Sequence, residues 1–257
     1  MLGKTELVKR IEVNYKVAGE GGPLLILHGW GSGSDSWVKV AELIAEKGYR
    51  VIVPDLPGFG KTPAPPAVWG VEEYAEFVNE FAEKLGLQKF VLAGHSFGGQ
   101  VAVKFAAVHP EKLERLILCA PAAIRKEPGL TDTLVICAAK AGSVILFLIP
   151  SAGLQEFTRK VFARMIGRSD YLQAPGIMRK VMQRVIREDL SGLFALINTK
   201  TLLVWGEKDR PVPVEDAYVM EKRLSHSSLK VIPGASHRVH REAPEILSKI
   251  ICSWLSY

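Results

Sequence analysis

The chain has 257 residues, 48% of them hydrophobic and 23% charged, with a net charge of +6. That length and balance suit a soluble globular protein of one to two domains, burying about 75% of its unfolded surface. They exclude a disordered chain, a collagen-like repeat and a small disulfide-stapled module. The three cysteines, Cys119, Cys137 and Cys252, have apolar neighbours and no CxxC spacing. They read as buried free thiols of a reducing, cytoplasmic protein rather than as a disulfide framework or a zinc site.

The first residues, MLGKTELVKR, carry charges where a secretory signal needs an apolar core. The longest apolar run, about Ala141 to Ile149, is too short to span a bilayer, so stable membrane insertion is not expected. Positive charge gathers between Arg125 and Asp189, with 11 Lys/Arg against 6 Asp/Glu. No nucleic-acid-binding motif accompanies it, so it reads as a solvated helix face and nucleic acid is not an expected partner.

In chain order, an early hairpin of roughly Leu7 to Val17 with Leu24 to Leu27 supplies antiparallel edge strands. Apolar runs of strand length follow at Pro23–His28, Arg50–Pro57, from Lys89, from Leu113, from Thr201 and from Ser228. Continuous Val/Ile/Leu runs belong to strands covered on both faces, as in parallel sheets. Helices are predicted over Trp37–Lys47, from Val71 with Gly86 as the C-terminal cap, and over Gly98–Val108, Glu215–Leu224 and Ala243–Trp254. Alternating strands and helices predict an α/β protein with a doubly wound, mostly parallel sheet. The alternation stops over residues 122–199. Two helical stripes there, Phe157–Ile166 and Ile177–Ile186, predict a helical cap inserted into a core of residues 1–121 and 200–257.

The strongest chemical signal is Gly94-His95-Ser96-Phe97-Gly98-Gly99, a G-x-S-x-G motif between a strand and a helix. A tight strand-to-helix turn there presents the Ser96 hydroxyl above the sheet, with helix N–H groups facing any developing negative charge. A serine needs a base, and the base needs an acid. His237, in Gly234-Ala-Ser-His237, follows the last strand and fits best, with His240 as the alternative. His28 and His95 read as turn-shaping residues. Asp209 opens the Pro-rich turn Arg210-Pro-Val-Pro and is the expected acid, with Glu207 as the alternative. His28-Gly29-Trp30-Gly31 suits an oxyanion hole, with one N–H from Trp30 and one from Phe97. The competing reading, a phosphate loop or dinucleotide turn, is weak: neither G-x-G-x-x-G nor GK[ST] occurs there, and Lys61-Thr62 after Gly58-Phe-Gly60 lacks the P-loop spacing to an earlier glycine.

HGWGS, DLPGFGKT, GHSFGG, WGEKDRPVP and GASHRVHREAPE, in this order, resemble the α/β-hydrolase family along nearly the whole chain. The first two resemble most the carboxylesterases related to the biotin-pathway pimeloyl methyl-ester esterase. The resemblance implies a triad of Ser96, His237 and Asp209, a helical cap at 122–199, and no cofactor or metal. A serine nucleophile sets the chain apart from dehalogenases and epoxide hydrolases, which use a carboxylate. The implied substrate is a small ester with an apolar acyl group, cleaved through an acyl-enzyme. A C–C hydrolase acting on a vinylogous diketone and a ligand receptor on the same scaffold are the alternatives. The oligomeric state is not legible.

Overall fold

The computed structural model describes residues 1–125 and 176–256. The chain divides into two compact units, residues 1–125 with 184–257, and residues 126–183. The stripe Phe157–Ile166 and Cys137 lie outside the described residues.

The larger unit is built on one eight-stranded sheet: β1 (Leu2–Val8), β2 (Ile11–Ala18), β3 (Gly22–Leu27), β4 (Tyr49–Pro54), β5 (Phe90–His95), β6 (Leu113–Cys119), β7 (Thr201–Gly206) and β8 (Ser227–Ile232). Their spatial order is β1-β2-β4-β3-β5-β6-β7-β8. The pairs β1–β2 and β2–β4 are antiparallel, and all others are parallel. The sequence patterning anticipated the six parallel strands. The hairpin differs: β2 turns back on β1, not on β3. Lys9 and Arg10 supply the reason, because both take positive φ (48° and 65°), the backbone of a tight two-residue hairpin turn. β3 is thereby free to join the parallel sheet between β4 and β5.

The central strands β5 and β7 are buried along their whole length, as helices on both faces require. Helices α1 (Val38–Ala45) and α2 (Val71–Lys84) follow β3 and β4, and α3 (Phe97–Val108) follows β5. Helix α4 (Gly176–Val185) begins in the smaller unit, where its Met178 and Val181 are buried. Helices α5 (Val214–Arg223), α6 (Val239–Glu242) and α7 (Pro244–Leu255) complete the larger unit. The face of α2 that carries Tyr74, Ala75, Val78, Phe81 and Ala82 is buried, while Glu72 and Lys84 stay outside. Gly86, at φ 69°, ends this helix in the left-handed conformation that glycine adopts without steric cost. One core layer, including Trp37, Val40 and Ile44, packs under β3, β4 and β5 with Leu247 and Ile251 of α7. No helix among the described residues is long and apolar enough to cross a membrane.

Candidate active site

Parallel strands bring their C-terminal ends to one edge, and the loops leaving β3, β5, β7 and β8 meet there. Ser96 sits between β5 and α3 with φ 53° and ψ −113°, a strained backbone for a residue with a side chain. The turn is pinned on both sides. Ser96 N–H donates to the Cys119 carbonyl at 3.1 Å, and the Ser96 carbonyl accepts from Gln100 and Ala122 at 3.0 and 3.1 Å. The glycines around it have no room for side chains. A Cβ on Gly98 would overlap the Leu27 and His28 carbonyls, and one on Gly99 would overlap Pro121. Helix α3 therefore starts hard against β3, and the half-buried Ser96 is presented at its N-terminus.

Of the two candidate acids, Asp209 is the one beside an imidazole. Its Oδ2 accepts from His237 Nδ1 at 2.8 Å, and the Asp209 side chain is fully buried. The Pro-rich turn holds the carboxylate: Val212 N–H donates to Asp209 Oδ1 at 2.9 Å, while Trp205 Nε1 donates to the Val212 carbonyl at 2.9 Å. The exposed Glu207 instead accepts from Gly234 N–H at 2.8 Å and ties the β7 loop to the β8 loop. Two backbone bonds add to that tie, Lys208 N–H to the Ala235 carbonyl and Glu207 N–H to the Ile232 carbonyl, at 2.8 and 3.1 Å. Glu242 of α6 clamps the other side of the base loop through the Ser236 N–H (2.7 Å) and hydroxyl. Among the described residues His240 meets no carboxylate; it is buried and stacks on Trp37 at 4.5 Å.

With its Nδ1–H given to Asp209, neutral His237 has its other nitrogen, Nε2, free to accept a proton. That is the tautomer a general base requires.

The loop after β3 lies against the nucleophile. A Cβ on Gly29 would stand 3.3 Å from Ser96 Cβ. The Gly29 carbonyl accepts from His28 Nδ1 at 2.8 Å and from Ser32 N–H at 3.2 Å. A trans peptide points its N–H opposite to its C=O, so these two bonds also fix the direction of the Trp30 N–H. Neither the Trp30 nor the Phe97 N–H is given to a backbone carbonyl elsewhere in the core. His28 Nε2 in turn accepts from Leu56 N–H at 3.0 Å, which leaves its proton on Nδ1. Complete burial lowers the His28 pKa and keeps the ring neutral.

Asp55 was not among the residues singled out by motif, yet it organises this loop. Its carboxylate accepts from Ser34 N–H (2.6 Å), Lys61 N–H (2.9 Å) and Asn14 Nδ2 (2.8 Å). Burial works to raise its pKa, but these bonds outweigh burial and hold it below the usual carboxylate value. The available signal was the carboxylate at the head of DLPGFG. Gly60, at φ 56°, packs on the Asp55 carboxylate so closely that a Cβ would overlap it.

An apolar wall adjoins the turn. The half-buried Trp30 packs edge-on against Phe59 and Phe97, with ring centres 4.8 and 5.3 Å apart, and Tyr74 meets Phe97 at 5.0 Å. Among the described residues, no group of three or more His, Cys, Asp and Glu side chains is placed to hold a metal ion.

A sequence model of the α/β-hydrolase fold matches residues 22–140. The 2-hydroxy-6-oxo-6-phenylhexa-2,4-dienoate hydrolase of Comamonas testosteroni is 27% identical, over 95% of this chain and 91% of its own. A membrane phospholipase A described as a bacterial virulence factor superposes with a TM-score of 0.77 at 28% identity, covering 99% of this chain and 86% of its own. A thermophilic esterase from Thermogutta terrifontis gives a TM-score of 0.74 at 27% identity, covering 100% and 98%. The sheet order, the strained serine turn and these likenesses agree on one architecture: the chain has the α/β-hydrolase fold.

Proposed function

We propose that this protein is a carboxylesterase that works through an acyl-enzyme on Ser96. The observation that carries the reading is the buried Asp209–His237 hydrogen bond of 2.8 Å, on the same sheet edge as the strained Ser96 turn. In this reading His237 Nε2 takes the Ser96 proton as Oγ attacks the ester carbonyl. The N–H groups of Trp30 and Phe97 stabilise the oxyanion. His237 then protonates the leaving alcohol, and later activates the water that releases the acid. Asp209 keeps the imidazole in its working tautomer and balances its charge.

The Trp30–Phe59–Phe97 rings favour a small-molecule substrate with an apolar acyl group. Residues 122–199 are proposed as the cap that sets acyl-chain length, on the strength of their apolar helical stripes. A p-nitrophenyl ester panel from acetate to palmitate, with Ser96→Ala as control, tests the proposal. Multiple turnover that disappears in the variant is the expected result, and no turnover of any ester by the folded wild type counts against it.

The second reading is C–C bond hydrolysis of a vinylogous diketone, favoured by the likeness to the Comamonas testosteroni hydrolase. Turnover of such a diketone without ester turnover would select it.

A further inference from the structure

Behind the base lies a stack of rings that the proposed chemistry does not use. His95 packs between His237 and His240, with ring centres 4.8 and 4.6 Å away. Trp37 lies flat on His240 at 4.5 Å and 6° and faces His95 at 6.3 Å. Trp37, His95 and His240 are 0%, 4% and 4% exposed, so their polar atoms are removed from bulk water.

The hydrogen bonding of His95 fixes its tautomer. Its Nε2 lies 2.8 Å from the His237 carbonyl. A carbonyl only accepts, so Nε2 carries the proton. Burial, and then the neighbouring His240 and His237, lower the His95 pKa well below its usual value, which keeps the ring neutral and Nδ1 bare. Among the described residues, that bare Nδ1 has no partner, and neither do the Trp37 Nε1–H and the His240 Nδ1. Buried polar atoms are rarely left unpaired, and here three of them sit within one ring stack. One water molecule fits this inventory. Its oxygen accepts from the Trp37 indole, one hydrogen goes to His95 Nδ1, and His240 Nδ1 is its third partner. The two stacked rings of Trp37 and His240 are nearly parallel, so the in-plane indole N–H cannot reach the imidazole beneath it directly.

We propose that His95 is a positioning residue for the base: its Nε2–H holds the His237 carbonyl, and a buried water shared with Trp37 and His240 keeps its proton on Nε2. This inference rests on the Ser96–His237–Asp209 reading and adds to it. The clamp ties the loop carrying His237 to the strand that ends at Ser96, so base and nucleophile move together. A side chain that cannot donate at Nε2 would release the loop.

The test compares His95→Leu with His95→Gln, whose amide keeps a donor near the Nε2 position. The readouts are fluorophosphonate labelling of Ser96, kcat and KM for a p-nitrophenyl ester, and Tm. Labelling of wild-type Ser96 isolates the inference from the triad reading: a wild type that is not labelled defeats that reading itself. With a labelled wild type, His95→Leu is expected to lose about 10²-fold in labelling rate and kcat with KM little changed, the scale of a misplaced catalytic group. His95→Gln is expected to recover most of that loss. A folded His95→Leu protein labelled at the wild-type rate overturns the proposal, as does a folded His95→Gln protein as slow as His95→Leu. If neither variant folds, long-range ¹H–¹⁵N spectra of the wild-type imidazoles decide. A proton on His95 Nε2 alone is expected; one on Nδ1 overturns the proposal. A crystal structure checks the water, expected within about 3.2 Å of Trp37 Nε1 and His95 Nδ1. A direct bond between those two nitrogens would overturn that element.

Discussion

Ser96 is held at φ 53° by bonds at its own N–H and carbonyl, so the strain belongs to the backbone and not to the hydroxyl. Removing only that hydroxyl should leave the turn intact. Ser96→Ala is expected to keep the wild-type Tm while lowering kcat by about 10³-fold or more, as loss of an attacking serine does. Asp209→Asn, measured beside Glu207→Gln, separates the two carboxylates. The first should lower kcat by about 10³-fold or more through the wrong imidazole tautomer. The second removes only a charge, keeps an amide oxygen for the exposed Gly234 N–H, and should leave kcat within about threefold. Burial pushes the Cys119 thiol up to about 12. Native protein treated with iodoacetamide near pH 8 should remain unmodified at Cys119, because alkylation needs a thiolate. Peptide mapping before and after unfolding reads this directly.

At the scale of elements, the loop after β3 is ordered from outside itself. Asp55 gathers N–H donors from Ser34, Lys61 and Asn14, so β2, β3 and β4 share one carboxylate. Asp55→Ala leaves those donors without their acceptor, and hydrogen bonds to a charged group contribute roughly 1.5–3 kcal/mol each. The variant is expected to lose at least about 2 kcal/mol of stability in urea unfolding, together with activity, because the loop that carries Trp30 loses its anchor at Ser34. An Asp55→Ala protein with wild-type stability would show that the shared carboxylate holds nothing together. Motif reading reached the individual loops and strand ends. It did not reach their connections, because these join residues far apart in the chain. Asn14 meets Asp55 across 41 positions, and His95 meets His237 across 142. The hairpin shows the same boundary at short range. The expected strand over Leu7–Val17 is split by the Lys9–Arg10 turn, which folds β2 back on β1.

For the whole molecule, burial of His28, His95 and His240 as neutral rings carries a stability cost at low pH. All three are lowered from the ordinary 6.5, His240 to about 3. Below pH 6.5 the unfolded chain binds protons that the folded chain refuses, so stability is full above about pH 7 and falls as the pH drops. Each histidine contributes a slope of at most about 1.4 kcal/mol per pH unit. Tm is therefore expected to decline from pH 7 to pH 5, and His240→Phe, which keeps a ring on Trp37, should flatten part of that decline. A Tm independent of pH across that range would contradict the buried neutral state.

The sequence by itself determined the α/β alternation, the parallel strands, the serine turn and the choice of Asp209 and His237 as candidates, because each depends on a local pattern. Apolar runs make buried strands, glycines permit a turn without room for Cβ, and a Pro-rich turn holds a carboxylate. Tertiary structure alone decided which strands paired with β2, that Asp55 ties strand β2 and the loop after β3 to its own loop, that Glu207 and Glu242 brace the base loop, and that His95 holds the His237 carbonyl. Most of those contacts join segments that are distant in sequence, and their donors and acceptors meet only after the sheet has brought its strand ends to one edge.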